Sequence, residues 1–143
     1  MDCIKSPMKI NWINFPVFAD QNGALSVFEQ GSGPGKVEFP VLRSFSVVAN
    51  SSSRRGNHAH HQCTQLLVCL NGKIQVDIFD GVDRESVLIV PDGRGVLISP
   101  KTWVSQEYLE DNSVLFVLCD RPYEAEDYIT DLDLFVNLVG KKG

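Results

Sequence analysis

Of 143 residues, only three are histidine, three tyrosine and four cysteine. The cysteines (Cys3, Cys63, Cys69 and Cys119) form no C-x-x-C pair and match no common structural zinc spacing, so reduced, partly buried thiols are expected. No apolar run reaches the length of a membrane span, so no membrane partner is expected. No basic stripe is present, and the net charge of -5 comes from acidic and basic residues mixed along the chain. A nucleic-acid partner is therefore not expected. The opening MDCIKSPMKINW has no apolar segment of the kind a secretory signal needs, which points to the cytoplasm. With 43% hydrophobic and 22% charged residues, the chain suits one compact domain over 1–143 with a real core, rather than disorder.

What the chain has is a succession of short alternating segments separated by turn chemistry. Residues 1–9 read as a loose leader and 9–15 as a short edge strand. Strands are then expected over 24–29, 41–49, 62–70, 73–79, 85–90, 95–99, 103–109 and 113–119, with turns at Asp20-Gln-Asn-Gly23, Asn71-Gly72, Asp80-Gly81, Pro91-Asp-Gly93 and Asp111-Asn112. Asn71-Gly72 and Asp80-Gly81 carry the signal of two-residue hairpins. Strands of this length and spacing indicate an all-β barrel or sandwich. Residues 123–139 differ. Tyr128, Leu132, Phe135 and Leu138 recur at helical spacing behind Glu124, Glu126 and Asp127, so a short amphipathic helix is expected there, its aromatics acting as packing groups.

All three histidines lie in residues 55–72, RGNHAHHQCTQLLVCLNG. In an extended chain His58 and His60 leave the same face, side by side. One reading is a metal site. H-x-H, four residues, an acid, six residues and a glycine is the front half of a cupin metal motif, and the spacing from His58 to Gly72 fits. Gln65, however, stands where the acid belongs, and an amide is a weaker ligand for a hard cation. The stretch around Pro100, where a further histidine would fall, has none. No metal is therefore expected. The other readings are acid/base chemistry, since imidazole titrates near neutrality, and a structural, hydrogen-bonded pair; the residues alone leave these two open. On the 41–49 strand Arg43 shares a face with Phe45. It either lines a ligand cavity or snorkels to water from the strand end, and periodicity alone tilts toward snorkelling.

The stretch RGNHAH, with Gln65 and the Gly72 turn, resembles the R-G-x-H-A-H signature of the nucleotide-sugar 3,4-ketoisomerases of the cupin superfamily, which act on dTDP-4-keto-6-deoxyglucose. The resemblance extends along nearly the whole chain: Asp20-Gln-Asn-Gly23-Ala-Leu25, Arg43-Ser-Phe45, Asp80-Gly81, Pro100-x-x-Trp103, and Tyr123-x-x-x-Asp127-Tyr128-Ile129 are similar to blocks of that family. It implies a cupin-type jelly-roll barrel with a short C-terminal helix, a homodimer, and transfer of the keto group of a dTDP-sugar from C4 to C3 with no cofactor. The family base carries over to His60, with His58 beside it as a second catalytic group. Arg43, Arg55, Gln65 and Trp103 are the expected substrate-binding residues, with the direction of Gln65 left open by the chance of a bulge. Two departures stand out. Phe45 and Ser46 occupy positions where the family often has tyrosine, and His61 replaces a common lysine. The alternative from another class is a non-catalytic cupin module that binds a sugar nucleotide.

Overall fold

The architecture is that of a computed structural model that describes residues 8–140. Most of the leader expected over 1–9, and Cys3, lie outside the described residues. Fourteen strands follow in chain order: β1 (Asn11–Asn14), β2 (Val17–Asp20), β3 (Gly23–Ser26), β4 (Glu29–Gln30), β5 (Lys36–Val37), β6 (Arg43–Ala49), β7 (Arg54–His60), β8 (Gln65–Asn71), β9 (Ile74–Phe79), β10 (Arg84–Ile89), β11 (Arg94–Ile98), β12 (Trp103–Tyr108), β13 (Ser113–Cys119) and β14 (Tyr128–Ile129). A single α-helix, α1 (Leu132–Gly140), follows β14. Among the described residues no helix is long and apolar enough to cross a membrane.

The strands build two five-stranded sheets, ordered β1-β11-β8-β13-β6 and β10-β9-β12-β7-β14, which face one another across the core. The sheets do not close into a continuous barrel; the architecture is an open, cupin-like jelly-roll sandwich. Burial explains the sequence pattern of each sheet. β8 is apolar at successive positions because both of its faces are covered. Leu67 and Cys69 point into the core between the sheets, while Leu66 and Val68 pack outward with Phe15, Phe28 and Val37 from the N-terminal segment. β9 alternates because one face is wet: Ile74, Val76 and Ile78 are buried, whereas Gln75 and Asp77 are only half-buried on the outer face. A third cluster seats α1 on the second sheet, with Phe135 fully buried against Ala59, Phe79, Ile129 and Trp103.

Two local expectations change. Asn71-Gly72 does not close a hairpin. β8 pairs with β11 and β13, and β9 pairs with β10 and β12, so this turn is a corner where the chain leaves one sheet for the other. Gly72 has φ 83°, and a Cβ there would run into the Ser113 side chain. Asp80-Gly81, by contrast, does lie in the hairpin loop between β9 and β10. Finally, the helix expected over 123–139 begins only at Leu132; before it lie a 3-10 turn, Ala125–Asp127, and β14. Tyr128 is thus a strand residue, paired with His60 of β7.

Candidate active site

The two sheets each contribute a row of side chains to one end of the sandwich. On the first sheet, Cys119 of β13 pairs in register with Arg43 of β6 on one side and Gln65 of β8 on the other. Residues opposite one another share a face, so Arg43, Cys119 and Gln65 form a row directed at the facing sheet, as do Phe45 and Val47 further along β6. The row is hydrogen-bonded. Arg43 Nη2 donates to Cys119 Sγ at 3.6 Å and Gln65 Nε2 donates to the same sulfur at 3.5 Å. The direction of Gln65 is thereby settled: residues 61–64 turn the chain from one sheet into the other, so parity counted from His60 does not carry across.

On the second sheet, β7 brings His58 and His60 to the inner face while Ala59 packs outward against α1. A β-bulge sits just before them. Val104 pairs with His58 and Ser105 with Gly56, leaving Asn57 as the extra residue, and Gly56 and Asn57 both take left-handed φ values, 87° and 63°. The bulge resets the alternation. Arg55, opposite the inward-facing Gln106, therefore joins His58 and His60 on the inner face, which strict alternation forbids. Arg54, one residue earlier, faces out and pairs with Glu107 at 2.8 Å. The inner face is open at this end: Arg55 is exposed and Phe45 is 36% exposed although both point inward.

His60 is the best-defined group of the site. Its Nδ1 lies 3.0 Å from Asp127 Oδ2. The carboxylate also accepts from the backbone N–H of Gln62 at 2.8 Å and of Cys63 at 3.2 Å, while the Asp127 carbonyl accepts from His61 N at 2.9 Å. A carboxylate at Nδ1 fixes the proton on that nitrogen and leaves Nε2 with a free lone pair. Nε2 is buried and has no hydrogen-bond partner among the described residues. Burial drives the His60 pKa below that of an ordinary histidine, against the opposing pull of Asp127, with the nearby Arg43 charge adding to the fall. His58 is lowered too, first by burial and then by proximity to His60, against a backbone hydrogen bond at Gly56. The two rings meet edge-on at 5.1 Å between centroids. Both are therefore neutral near pH 7, and His60 presents a base.

The sequence reasoning missed Asp127 and Tyr128. The Tyr128 ring lies 4.4 Å from that of His60 and 5.1 Å from that of His58, and its hydroxyl accepts from Arg43 Nη2 at 3.2 Å. The signal was present in the Asp127-Tyr128-Ile129 block but was absorbed into a helical spacing. Arg43 does not snorkel. Its guanidinium reaches across the gap between the sheets, lies over the Phe45 and Tyr123 rings at 5.3 and 5.5 Å, and has no carboxylate partner among the described residues. Its buried Nε has no partner among the described residues. Cys119 is the acidic member of a thiol pair. The neighbouring Cys63 thiol lowers its pKa, burial opposes, and Arg43 and Gln65 lower it further, while Cys63 is pushed up.

Trp103 does not join this group. It sits on the outer face of the second sheet with its ring 5.6 Å from Phe135 of α1, because its neighbour Val104 takes the inward position. His61 also turns away, into a polar cleft with Arg121 and Glu124. A more apolar cleft of about 290 Å³, lined by Phe15, Val17, Phe28 and Leu70, lies toward the N-terminal segment, away from the histidines. Ligand atoms of His60, Cys63 and Asp127 lie within 4.8 Å of one another. The Asp127 oxygens there are already engaged by three N–H groups, so the carboxylate is arranged as a hydrogen-bond acceptor for the 61–64 turn.

The chain is 28% identical over 130 residues to a TDP-4-oxo-6-deoxy-alpha-D-glucose-3,4-oxoisomerase of Aneurinibacillus thermoaerophilus, covering 90% of this chain and 91% of that protein. The fold superposes with a TM-score of 0.85 on QdtA, a sugar 3,4-ketoisomerase of Thermoanaerobacterium thermosaccharolyticum solved in complex with TDP, at 25% identity over 93% of this chain and 96% of that one. A 3,4-ketoisomerase of Helicobacter canadensis gives a TM-score of 0.83 at 25% identity, covering 93% and 98% of the two chains. A family model described as FdtA: WxcM-like, C-terminal matches residues 8–140, and the chain belongs to that family.

Proposed function

We propose that residues 1–143 act as a single sugar-nucleotide isomerase domain that moves the keto group of a dTDP-4-keto-6-deoxyhexose from C4 to C3 in deoxysugar biosynthesis. The observation that carries this is His60: a buried imidazole oriented through Nδ1 by Asp127, with Nε2 bare. The family membership and the relatives that are 3,4-ketoisomerases support the substrate class.

The chemistry follows from the geometry. The C3 proton is acidic because it lies beside the C4 carbonyl. A neutral imidazole can take it, and burial keeps His60 neutral. The imidazolium that forms faces the Asp127 carboxylate, which stabilises it and holds the ring in place. The enediol is then reprotonated at C4, and the carbonyl appears at C3. Negative charge builds on the sugar oxygens during both steps. Arg43, whose charge no carboxylate among the described residues pairs with, is the donor aimed at that region. Arg55 at the open mouth suits the diphosphate, Gln65 offers an amide to the sugar, and His58 stands beside the base. The protein is inferred to work in the cytoplasm as a homodimer, without a cofactor.

Incubation with TDP-4-keto-6-deoxyglucose in deuterated water tests the proposal. Isomerisation and deuterium at the carbons next to the carbonyl are expected, and His60→Asn is expected to fold normally and to lose both. Full activity in His60→Asn overturns the base assignment. Tight binding of the sugar nucleotide to the native protein with no exchange overturns the enzyme reading in favour of a binding module.

A further inference from the structure

Moving a carbonyl between neighbouring carbons needs two kinds of proton transfer. One is at carbon, from C3 to C4. The other is at oxygen: O4 must gain a proton and O3 must lose one. His60, with a single free nitrogen, serves the carbon steps. The oxygen steps need a second group on the same side of the site that can give a proton and take one back.

Among the described residues three phenols come into consideration. Tyr108 is fully buried in the core, packed among Ile74, Val76 and Leu115 rather than at the mouth. Tyr123 is 65% exposed, its ring tilted against that of Tyr128 at 5.6 Å, and no ring contact joins it to His60. Tyr128 alone touches the base, with ring centroids 4.4 Å apart, and its hydroxyl is fixed at 3.2 Å by Arg43 Nη2. Its position is set by register, since β14 pairs Tyr128 with His60 and so directs both to the inner face. The guanidinium that holds the hydroxyl is itself anchored by Cys119 Sγ at 3.6 Å from the neighbouring strand.

Resting on the ketoisomerase reading above, we propose that Tyr128 is the second catalytic residue of the site, the acid and base at the sugar oxygens. As His60 Nε2 takes the C3 proton and the C3–C4 double bond forms, the Tyr128 hydroxyl gives its proton to O4, producing the enediol and a phenolate. The phenolate then takes the O3 proton as the C3 carbonyl forms, and the His60 imidazolium returns its proton to C4. Both residues end as they began, no redox partner is required, and the phenolate lies beside the Arg43 cation throughout its lifetime.

Tyr128→Phe keeps the ring and its contacts with the two histidines and removes only the oxygen. Turnover and C3 deuterium wash-in are measured together on the native protein and the variant, with a thermal melt to show that both fold. The expected result is a fall in isomerisation of about 10²- to 10³-fold with a clearly smaller fall in wash-in, because His60 can still take and return the carbon proton. An unchanged turnover, or a parallel fall of both quantities, overturns the role of Tyr128. A native protein that neither exchanges nor isomerises overturns the ketoisomerase reading itself, a result distinct from either of those.

Discussion

Asp127→Asn separates the geometry of the dyad from its charge. The native carboxylate accepts three N–H groups: His60 Nδ1 at 3.0 Å, Gln62 N at 2.8 Å and Cys63 N at 3.2 Å. An asparagine has one oxygen for these, so one backbone N–H must face the new NH2. Placing the amide oxygen at the Gln62 side keeps the shorter bond and gives up the longer one to Cys63. In that orientation the NH2 faces His60 and donates to Nδ1. The imidazole then carries its proton on Nε2, where a free lone pair is needed. One lost bond to a buried N–H costs about 1–3 kcal/mol, which for a domain of this size lowers Tm by roughly 3–10 °C. The effect on catalysis is larger. Loss of the carboxylate removes stabilisation of the imidazolium equivalent to about 1–3 pKa units, and the wrong tautomer adds to that. We expect kcat to fall by roughly 10²–10⁴ with little change in KM. The assay is steady-state turnover of TDP-4-keto-6-deoxyglucose at neutral pH together with a thermal melt. A folded Asp127→Asn protein with kcat within about threefold of native refutes the argument that this carboxylate orients the base.

Two further outcomes follow from the same geometry. Because burial holds the folded pKa of His60 below about 6.5, the base stays deprotonated into mildly acidic solution, and the acidic limb of the kcat/KM–pH profile, which reports the free enzyme, is expected below that value; a limb above pH 7 contradicts it. The unfolded chain takes up protons on His58 and His60 before the folded one does, so their contribution to stability is complete above about pH 6.5 and is lost as pH falls toward the lower folded values, a slope that denaturant titrations of His58→Asn/His60→Asn should show flattened. Gly56→Ala puts a Cβ 3.0 Å from Gln106 Oε1 and 3.1 Å from the Val104 carbonyl at a φ of 87°, so a loss of about 1–3 kcal/mol is expected by chemical denaturation, with activity reduced because the bulge orients Arg55 relative to His58.

Strand positions were legible where turn chemistry bounds them: 113–119 is found as β13 at both ends, and 103–109 and 73–79 within a residue. The partners of those strands were not. Asn71-Gly72 encodes a left-handed corner, and a corner of that kind joins paired strands or passes between sheets with equal ease; packing of β9 beside β10 and β12 chose the second. The spacing of Tyr128, Leu132, Phe135 and Leu138 fits a helix, yet the hydrogen bonds of β7 claim Tyr128 and Ile129 first, and the helix starts beyond them.

The same division holds for the site. The sequence by itself determined that His58 and His60 share a face, that Arg43 lies on the face of Phe45, and that a glutamine stands where a cupin metal site carries an acid. Those are consequences of the two-residue repeat of a strand and of residue chemistry, both local. Only the tertiary structure decided that Arg55 joins the histidines, that Trp103 does not, and that Asp127 and Tyr128 complete the group. Bulges, sheet faces and strand register are set by hydrogen bonds between segments far apart in the chain, 67 residues apart for His60 and Asp127, and local spacing carries no record of them.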